Sequence, residues 1–171
     1  MLLGVVWGRR PPASRGSGLA SGAAVAGGQR RGSAVAVMSA EALTQFLADS
    51  FPDAPPGYVV EAAGDEEVVL RLPVERVLRR PGGTVSGPTL MALADATAWV
   101  AVLCQIGPVA LSVTTSLHID FLRRPAVADL EATGRLLKLG RRLAVADVEL
   151  RSAGGSELVA KAQVTYSIPP R

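Results

Sequence analysis

The stretch that decides the fold of this 171-residue chain is SGPTLMALADATAWVAVLC, residues 86–104. Ser86 is a residue type that favours the N-cap of a helix, and Pro88 suits the first turn, where its missing N–H costs nothing. Gly107 and Pro108 then stop the pattern. The sequence therefore predicts one helix of about five turns, at about 3.6 residues a turn.

The predicted helix is apolar on nearly every side, since its Leu, Met, Val and Ala residues do not keep to one stripe. Such a helix has to be covered almost all round, by a sheet or by a partner subunit. Asp95 is the exception, because it lies about two turns in and no basic residue stands within one turn of it. An ionised carboxylate in an apolar setting costs several kcal/mol unless it is paired, hydrogen-bonded or open to a cleft. Asp95 is therefore the first candidate for a functional residue.

Hydrophobic residues make up 49% of the chain, which predicts one globular domain with a sizeable core. One cysteine and one histidine are too few for an internal disulfide or for a Cys/His metal site, so we expect no metal. A chain without disulfides fits a reducing compartment, and we expect a cytoplasmic protein.

The formal net charge of +3 raises the question of a nucleic-acid partner. The excess lies in residues 1–37, which contain five arginines and no acidic residue, whereas the remainder holds 13 basic and 15 acidic residues. That remainder has no basic stripe with interleaved aromatic residues. We therefore expect no nucleic-acid partner.

Residues 1–37 are rich in Gly, Ala, Ser and Arg and have no recurring apolar period, which predicts disorder. A transit-type presequence has this composition, whereas a secretory signal needs a longer apolar core than residues 2–7 provide. The interpretation we favour is that the natural start is Met38 and that residues 1–37 are a mispredicted extension. The domain is then expected to span residues 38–171.

The rest of the chain combines one short helix with strand patterns. Ser39 is a good N-cap, and apolar residues follow it at spacings of three and four, which predicts a short amphipathic helix. Strand patterns separated by Gly-rich or polar turns follow at residues 58–62, 68–73, 111–121, 130–139, 143–151 and 157–168. In the third of these, Leu117, Ile119 and Phe121 alternate with polar residues that include Thr114, which predicts opposite faces for the two sets.

A curved antiparallel sheet wrapped around one apolar helix satisfies the burial demand on residues 90–103, so the predicted fold class is α+β. Residues 90–113 are long and apolar enough to raise a membrane-spanning alternative. Asp95 in the middle, the break at Gly107 and the period-two strands that follow argue against it. We expect no membrane span.

Three motifs occur in order: SGP at residues 86–88 followed by LADA at 93–96, TTSLHIDFLRRP at 114–125, and LGRRLA at 139–144. Together they resemble the acyl-CoA thioesterases of the phenylacetate-pathway type, a family with the hotdog fold. The resemblance covers roughly residues 55–168. It implies a homo-oligomer, either a dimer or a dimer of dimers (a homotetramer), with sites between subunits.

In that family the helix begins His-Gly-Gly, and an acid follows nine positions after the His. Ser86 takes the His position here, Gly87 and Pro88 take the glycine positions, and Asp95 takes the acid position. The resemblance implies that Asp95 acts as general base or as nucleophile, and that the N–H of Gly87 holds the thioester oxygen. Pro88 offers no N–H, and a Ser86 hydroxyl would orient the substrate more weakly than a His.

The family also places a polar residue at the start of the long strand, which falls at Thr114, or at Thr115 if the register slips. Pro88 and Thr115 are implied as further substrate contacts. Coenzyme A phosphates lie near basic turns in the family, which implies phosphate binding by the guanidinium groups of Arg123, Arg124, Arg141 and Arg142.

The implied function is hydrolysis of the thioester of a small or medium acyl-CoA or an aryl-acyl-CoA, with coenzyme A as part of the substrate and no separate cofactor. An alternative is a hotdog protein that binds acyl-CoA but has lost efficient hydrolysis, since Ser86 and Pro88 depart from the family pattern. A hydratase-type activity is less favoured, because the His expected on the central helix is absent.

Overall fold

The computed structural model describes residues 36–51 and 57–170, so most of the predicted extension, residues 1–35, lies outside the described residues. The predicted boundary at the start of the domain therefore stays a prediction. The last two residues of the extension contact the domain: the N–H of Ala36 donates to Oδ1 of Asp65 and the N–H of Val37 donates to the carbonyl of Cys104, both at 2.7 Å.

The described part of the chain contains two α-helices and six strands, besides one turn of 3₁₀ helix at Val74–Arg76. In chain order they are α1 (Ala40–Ser50), β1 (Val59–Ala63), β2 (Val68–Leu72), α2 (Gly87–Ile106), β3 (Val113–Phe121), β4 (Leu130–Leu139), β5 (Leu143–Ser152) and β6 (Ala160–Ser167). Ser39 and Ser86 cap the two helices with their side-chain oxygens, and Gly107 ends α2 at a φ of 85°, which favours glycine. The predicted helices and strands are confirmed to within a few residues at their ends.

The six strands form one antiparallel sheet in the order β1-β2-β4-β5-β6-β3. Buried residues alternate with less buried ones along β5 and β6 and along the first half of β4. This buried face carries α2, which contacts every strand from β2 to β6. The predicted α+β class, with one sheet packed around one central helix, is confirmed.

The sheet and α2 come very close together at Gly134 of β4. A Cβ atom built on Gly134 would lie 2.8 Å from the Cγ2 atom of Thr97 and 3.4 Å from the carbonyl oxygen of Thr97. A contact of 2.8 Å is too short for two carbon atoms in a close-packed interior, so a side chain here would require the Thr97 side chain or α2 to shift. Gly134 therefore lets the sheet pack closely against α2 at Thr97, two residues after Asp95.

The helix α2 is long and apolar enough to cross a membrane, but 67% of its most apolar 18-residue stretch is buried inside the fold. That burial identifies α2 as the core helix of the domain. The part of the chain that the structure describes does not cover it on every side, however: Pro88, Met91 and Ala92 are exposed on one face. The sheet therefore buries most of α2 but leaves this face of the helix uncovered.

Among the described strands, β3 lies at one edge of the sheet and pairs with β6 alone. The predicted assignment of its faces is wrong at Thr114. A β-bulge between Thr114 and Ser116 changes the parity of the strand, so Thr114 faces the same side as Leu117 and Ile119. Bulges re-aim side chains in this way because one extra residue interrupts the alternation.

Candidate active site

Asp95 lies near the middle of α2 and is half-buried. Its Oδ1 atom accepts two hydrogen bonds, from the hydroxyl of Thr114 at 2.7 Å and from the hydroxyl of Tyr166 at 2.8 Å. Its Oδ2 atom makes no hydrogen bond to any residue in ranges 36–51 and 57–170, and no cation in these ranges forms an ion pair with it. The carboxylate is therefore held at one oxygen by two neutral donors and left open at the other.

The bulge in β3 is what brings Thr114 to Asp95. Unbroken alternation would turn Thr114 to the face opposite Leu117, away from α2. The neighbouring hydroxyl of Thr115 donates instead to the carbonyl of Thr165 on β6, at 3.2 Å. The sequence offered two candidates for the polar residue at the start of this strand. Of these, Thr114 contacts Asp95 and Thr115 does not.

Tyr166 is the member of this cluster that sequence reasoning did not single out. It lies on β6 opposite Thr114 in the β3–β6 ladder, and its ring is buried. Burial raises the pKa of its phenol, and the charge of Asp95 raises that pKa further, so the hydroxyl keeps its proton and donates. The signal in the sequence was its place in the apolar alternation of β6, which by itself indicates only a core position.

A cavity of about 260 Å³ opens beside Asp95 and Tyr166. Its other walls are apolar or aromatic and come from the end of α1, from the start of β1 and from α2: Leu47, Phe51, Tyr58, Ala92, Ala96 and Trp99. The indole of Trp99 packs against the ring of Phe51, with ring centroids 6.2 Å apart. The arrangement suits an apolar group whose polar end meets a carboxylate.

The start of α2 offers one free backbone donor. The hydroxyl of Ser86 accepts from the N–H of Thr89 at 3.3 Å and shares a hydrogen bond with the Thr89 hydroxyl at 2.7 Å, so it caps the helix. Pro88 has no N–H, and the N–H of Gly87 bonds to none of the residues that the structure describes. The ring of Phe121 stands over Gly87, 3.5 Å from where a Cβ atom would be. The Gly87 N–H is a candidate donor to an anionic oxygen, because it lies at the positive end of a helix.

Gly87 and Asp95 of one chain are too far apart to act on the same group. They are eight residues apart on one helix, which is about 12 Å along its axis at about 1.5 Å per residue. A carbonyl bond is only about 1.2 Å long. Within one chain, therefore, one carbonyl group cannot meet both the carboxylate and the N–H.

The four arginines predicted to bind phosphate lie in two separate turns. Arg123 forms an ion pair with a glutamate at 3.3 Å, and Arg124 donates to the carbonyl of Gly82, in the loop before α2. Arg141 and Arg142 line a second cavity, of about 520 Å³, which also includes the last residue of α2. Neither turn lines the cavity beside Asp95.

His118 and its neighbours on β3 lie apart from the cavity beside Asp95. His118 and Asp120 lie 3.5 Å apart on β3, and both are exposed. Within the described ranges, no group of three or more His, Cys, Asp or Glu residues is placed to hold a metal ion.

Comparison with known proteins adds a family and several relatives. The model of the thioesterase superfamily matches residues 82–165. A Pseudomonas aeruginosa protein that carries an esterase name, PA0474, is 35% identical over 104 residues, which are 60% of this chain and 76% of that protein.

Solved structures give the same picture. A Silicibacter sp. TM1040 protein, whose crystal structure was described as that of a thioesterase, is 42% identical, with 81% of this chain and 97% of that chain covered and a TM-score of 0.75. A Streptococcus pneumoniae structure, described as that of a hypothetical thioesterase protein with coenzyme A, is 23% identical, with 73% of this chain and 98% of that chain covered and a TM-score of 0.59, which shows the shared fold.

Proposed function

We propose that this chain, which belongs to the thioesterase superfamily and has the hotdog fold, hydrolyses the thioester of a small or medium acyl-CoA or of an aryl-acyl-CoA. The observation that carries the proposal is the Asp95 carboxylate, which two hydroxyl donors hold at one oxygen and which lines a mainly apolar cavity. That cavity, of about 260 Å³, suits an acyl or aryl group of modest size, since an apolar cavity of about 150 Å³ already holds benzene.

Hydrolysis requires attack on the acyl carbon and departure of coenzyme A as a thiol. As general base, Asp95 takes a proton from a water molecule that attacks the acyl carbon, and the C–S bond breaks as the proton passes to the departing sulfur. As nucleophile, Asp95 attacks the acyl carbon itself, the C–S bond breaks, and coenzyme A leaves and takes up a proton from solvent. Water then hydrolyses the resulting anhydride to the free acid and the Asp95 carboxylate. A burst of thiol release ahead of acid release distinguishes the second route from the first.

The developing charge on the carbonyl oxygen needs a donor, and this need supports a dimer. Since Gly87 of the same chain is about 12 Å from Asp95 along α2, the N–H of Gly87 has to come from a second copy of the chain. The edge strand β3 and the uncovered face of α2, which carries Pro88 and Met91, are exposed surfaces that such a copy would cover. We therefore propose a homodimer, or a dimer of dimers, with sites between subunits.

Coenzyme A is proposed as the leaving group because the Streptococcus pneumoniae structure with this fold contains it. Its phosphates suit Arg141 and Arg142, which line a cavity of about 520 Å³ and form no ion pair among residues 36–51 and 57–170. Arg123 is less suited, because a glutamate already pairs with it. Thioester hydrolysis by a carboxylate needs no separate cofactor, and the free Cys104 fits a cytoplasmic location.

The experiment that tests the proposal is a thiol-release assay on a panel of acyl-CoA esters. Asp95→Asn keeps the shape of the side chain and removes its charge, and we expect kcat/KM to fall about 10²- to 10⁴-fold. Asp120→Asn is the matched control, since it removes an exposed carboxylate that takes no part in the site. Wild-type turnover by Asp95→Asn, or no turnover by the wild type on any ester, contradicts the proposal.

A second candidate function is acyl-CoA binding without efficient hydrolysis, and the start of α2 favours it. The Ser86 hydroxyl caps the helix and Pro88 has no N–H, so one backbone donor, Gly87, remains. The loss of one oxyanion donor costs about 10²- to 10³-fold in rate. Calorimetric binding of acyl-CoA without thiol release from the same sample would support this candidate over the first.

A further inference from the structure

We propose that Tyr166 is a positioning residue for Asp95: with Thr114 it occupies Oδ1 of the carboxylate and leaves Oδ2 as the oxygen that acts on the thioester. The inference rests on the proposed thioesterase function and names the atom that performs it. Tyr166 lines the cavity, and its hydroxyl acts on the reaction through Asp95.

Both donors meet the same oxygen atom. The hydroxyls of Tyr166 and Thr114 lie 2.8 Å and 2.7 Å from Oδ1 of Asp95, the length range of hydrogen bonds between hydroxyl groups and oxygen acceptors. A carboxylate oxygen has about two lone-pair sites, so two donors fill Oδ1. A general base or a nucleophile needs a free lone pair, and only Oδ2 keeps one.

Tyr166 is suited to fix the carboxylate because it is itself held in place. It is 4% exposed, and its strand is hydrogen-bonded to β3 on one side and to β5 on the other. Its hydroxyl also lies 3.1 Å from the backbone carbonyl oxygen of Asp95, so its single proton faces two acceptors of that residue, of which Oδ1 is the nearer.

The carboxylate needs this restraint because its terminal torsion is intrinsically broad. Thr114 alone is a weaker restraint, since it lies exposed on an edge strand. Burial raises the pKa of the Tyr166 phenol, so the phenol, like the hydroxyl of Thr114, keeps its proton at neutral pH. Because Tyr166 is buried and Thr114 is exposed, Tyr166 is the more firmly held of the two donors.

The substitution Tyr166→Phe removes the hydroxyl and keeps the buried ring. We expect kcat to fall about 10- to 100-fold while KM stays within about twofold, because the cavity walls remain and only the orientation of the reacting oxygen is lost. Thr165→Val is the control, since it removes a hydroxyl from the next residue of β6, which points to the other face of the sheet. Wild-type kcat in Tyr166→Phe, or a loss confined to KM, overturns the proposal.

A second measurement does not depend on turnover. In a double-mutant cycle of Tyr166→Phe and Asp95→Ala, we expect the shift in the urea unfolding midpoint of the double variant to differ from the sum of the single shifts. Additive shifts overturn the proposal. If the pair is coupled but the wild type hydrolyses no ester, the proposed function fails and the role of Oδ2 fails with it. If the wild type is active and Tyr166→Phe is equally active, only the positioning role fails.

Discussion

Replacing Thr114 by valine tests whether the bulge in β3 decides which threonine supports catalysis by donating a hydrogen bond to Asp95. Valine keeps the shape of threonine and removes the hydroxyl that lies 2.7 Å from Oδ1 of Asp95. Thr115→Val is the matched partner, because the hydroxyl of Thr115 donates to the carbonyl of Thr165. Both threonines are exposed residues of one edge strand, so the two variants differ in which acceptor loses its donor.

The size of the effect follows from the donors that remain. A hydrogen bond to a charged group contributes about 1.5–3 kcal/mol, and about 1.4 kcal/mol corresponds to a factor of ten in rate. Tyr166 still donates to Oδ1 in Thr114→Val, and Thr114 is exposed, so the low end of this range applies. We expect kcat/KM to fall about 10-fold for Thr114→Val and less than about threefold for Thr115→Val.

Initial rates of thiol release over a range of acyl-CoA concentrations measure both variants against the wild type. Urea unfolding midpoints serve as the check that both variants fold. Equal losses in the two variants, or a larger loss in Thr115→Val, would refute the reasoning. In that case the hydrogen bond from Thr114 to Asp95 would not be what distinguishes the two threonines in catalysis.

Two further predictions concern stability. Gly134→Ala places a methyl group 2.8 Å from the side chain of Thr97, and we expect the free energy of unfolding to fall by about 1–3 kcal/mol. Gly64→Ala is the control, because the nearest atom to a Cβ at Gly64 is 3.7 Å away. Equal urea unfolding midpoints for the two variants would contradict the prediction. The second prediction concerns stability at alkaline pH. Burial raises the pKa of both tyrosines of the chain, Tyr58 and Tyr166, above the ordinary value of 10.0. Above that pH the phenols ionise in the unfolded chain before they do in the folded one, so the free energy of unfolding falls as pH rises. Urea unfolding measured from about pH 9 to about pH 11 should show that the free energy of unfolding falls less steeply with pH in the double variant Tyr58→Phe/Tyr166→Phe than in the wild type. The same slope in both proteins would show that the tyrosines do not cause the fall.

The elements of this fold were predictable because their signals are local. Ser39 and Ser86 cap the two helices through their side chains, and Gly107 stops α2, as their residue types indicate. The exception at Asp95 was also visible in the sequence, because a carboxylate in an apolar helix stands out without any knowledge of its neighbours. Each of these inferences depends on residues within one or two turns of one another.

The surroundings of Asp95 were only half predictable. The resemblance pointed to Thr114 or Thr115, but simple alternation assigned Thr114 to the polar face, and the bulge reversed that assignment. Tyr166 gave no signal of function, since a tyrosine in an apolar alternation is an ordinary core residue. Its role depends on pairing between β3 and β6, which are neighbours in the sheet but are separated in the chain by two other strands.

The amino-acid sequence by itself determined where helices and strands form and that one acid sits out of place in a hydrophobic helix, because caps, breakers and periodicity act over a few residues. Only the tertiary structure decided that two hydroxyls from neighbouring strands converge on one oxygen of that acid. A bulge and a pairing register result from contacts between distant segments, and no short stretch of sequence encodes either of them alone.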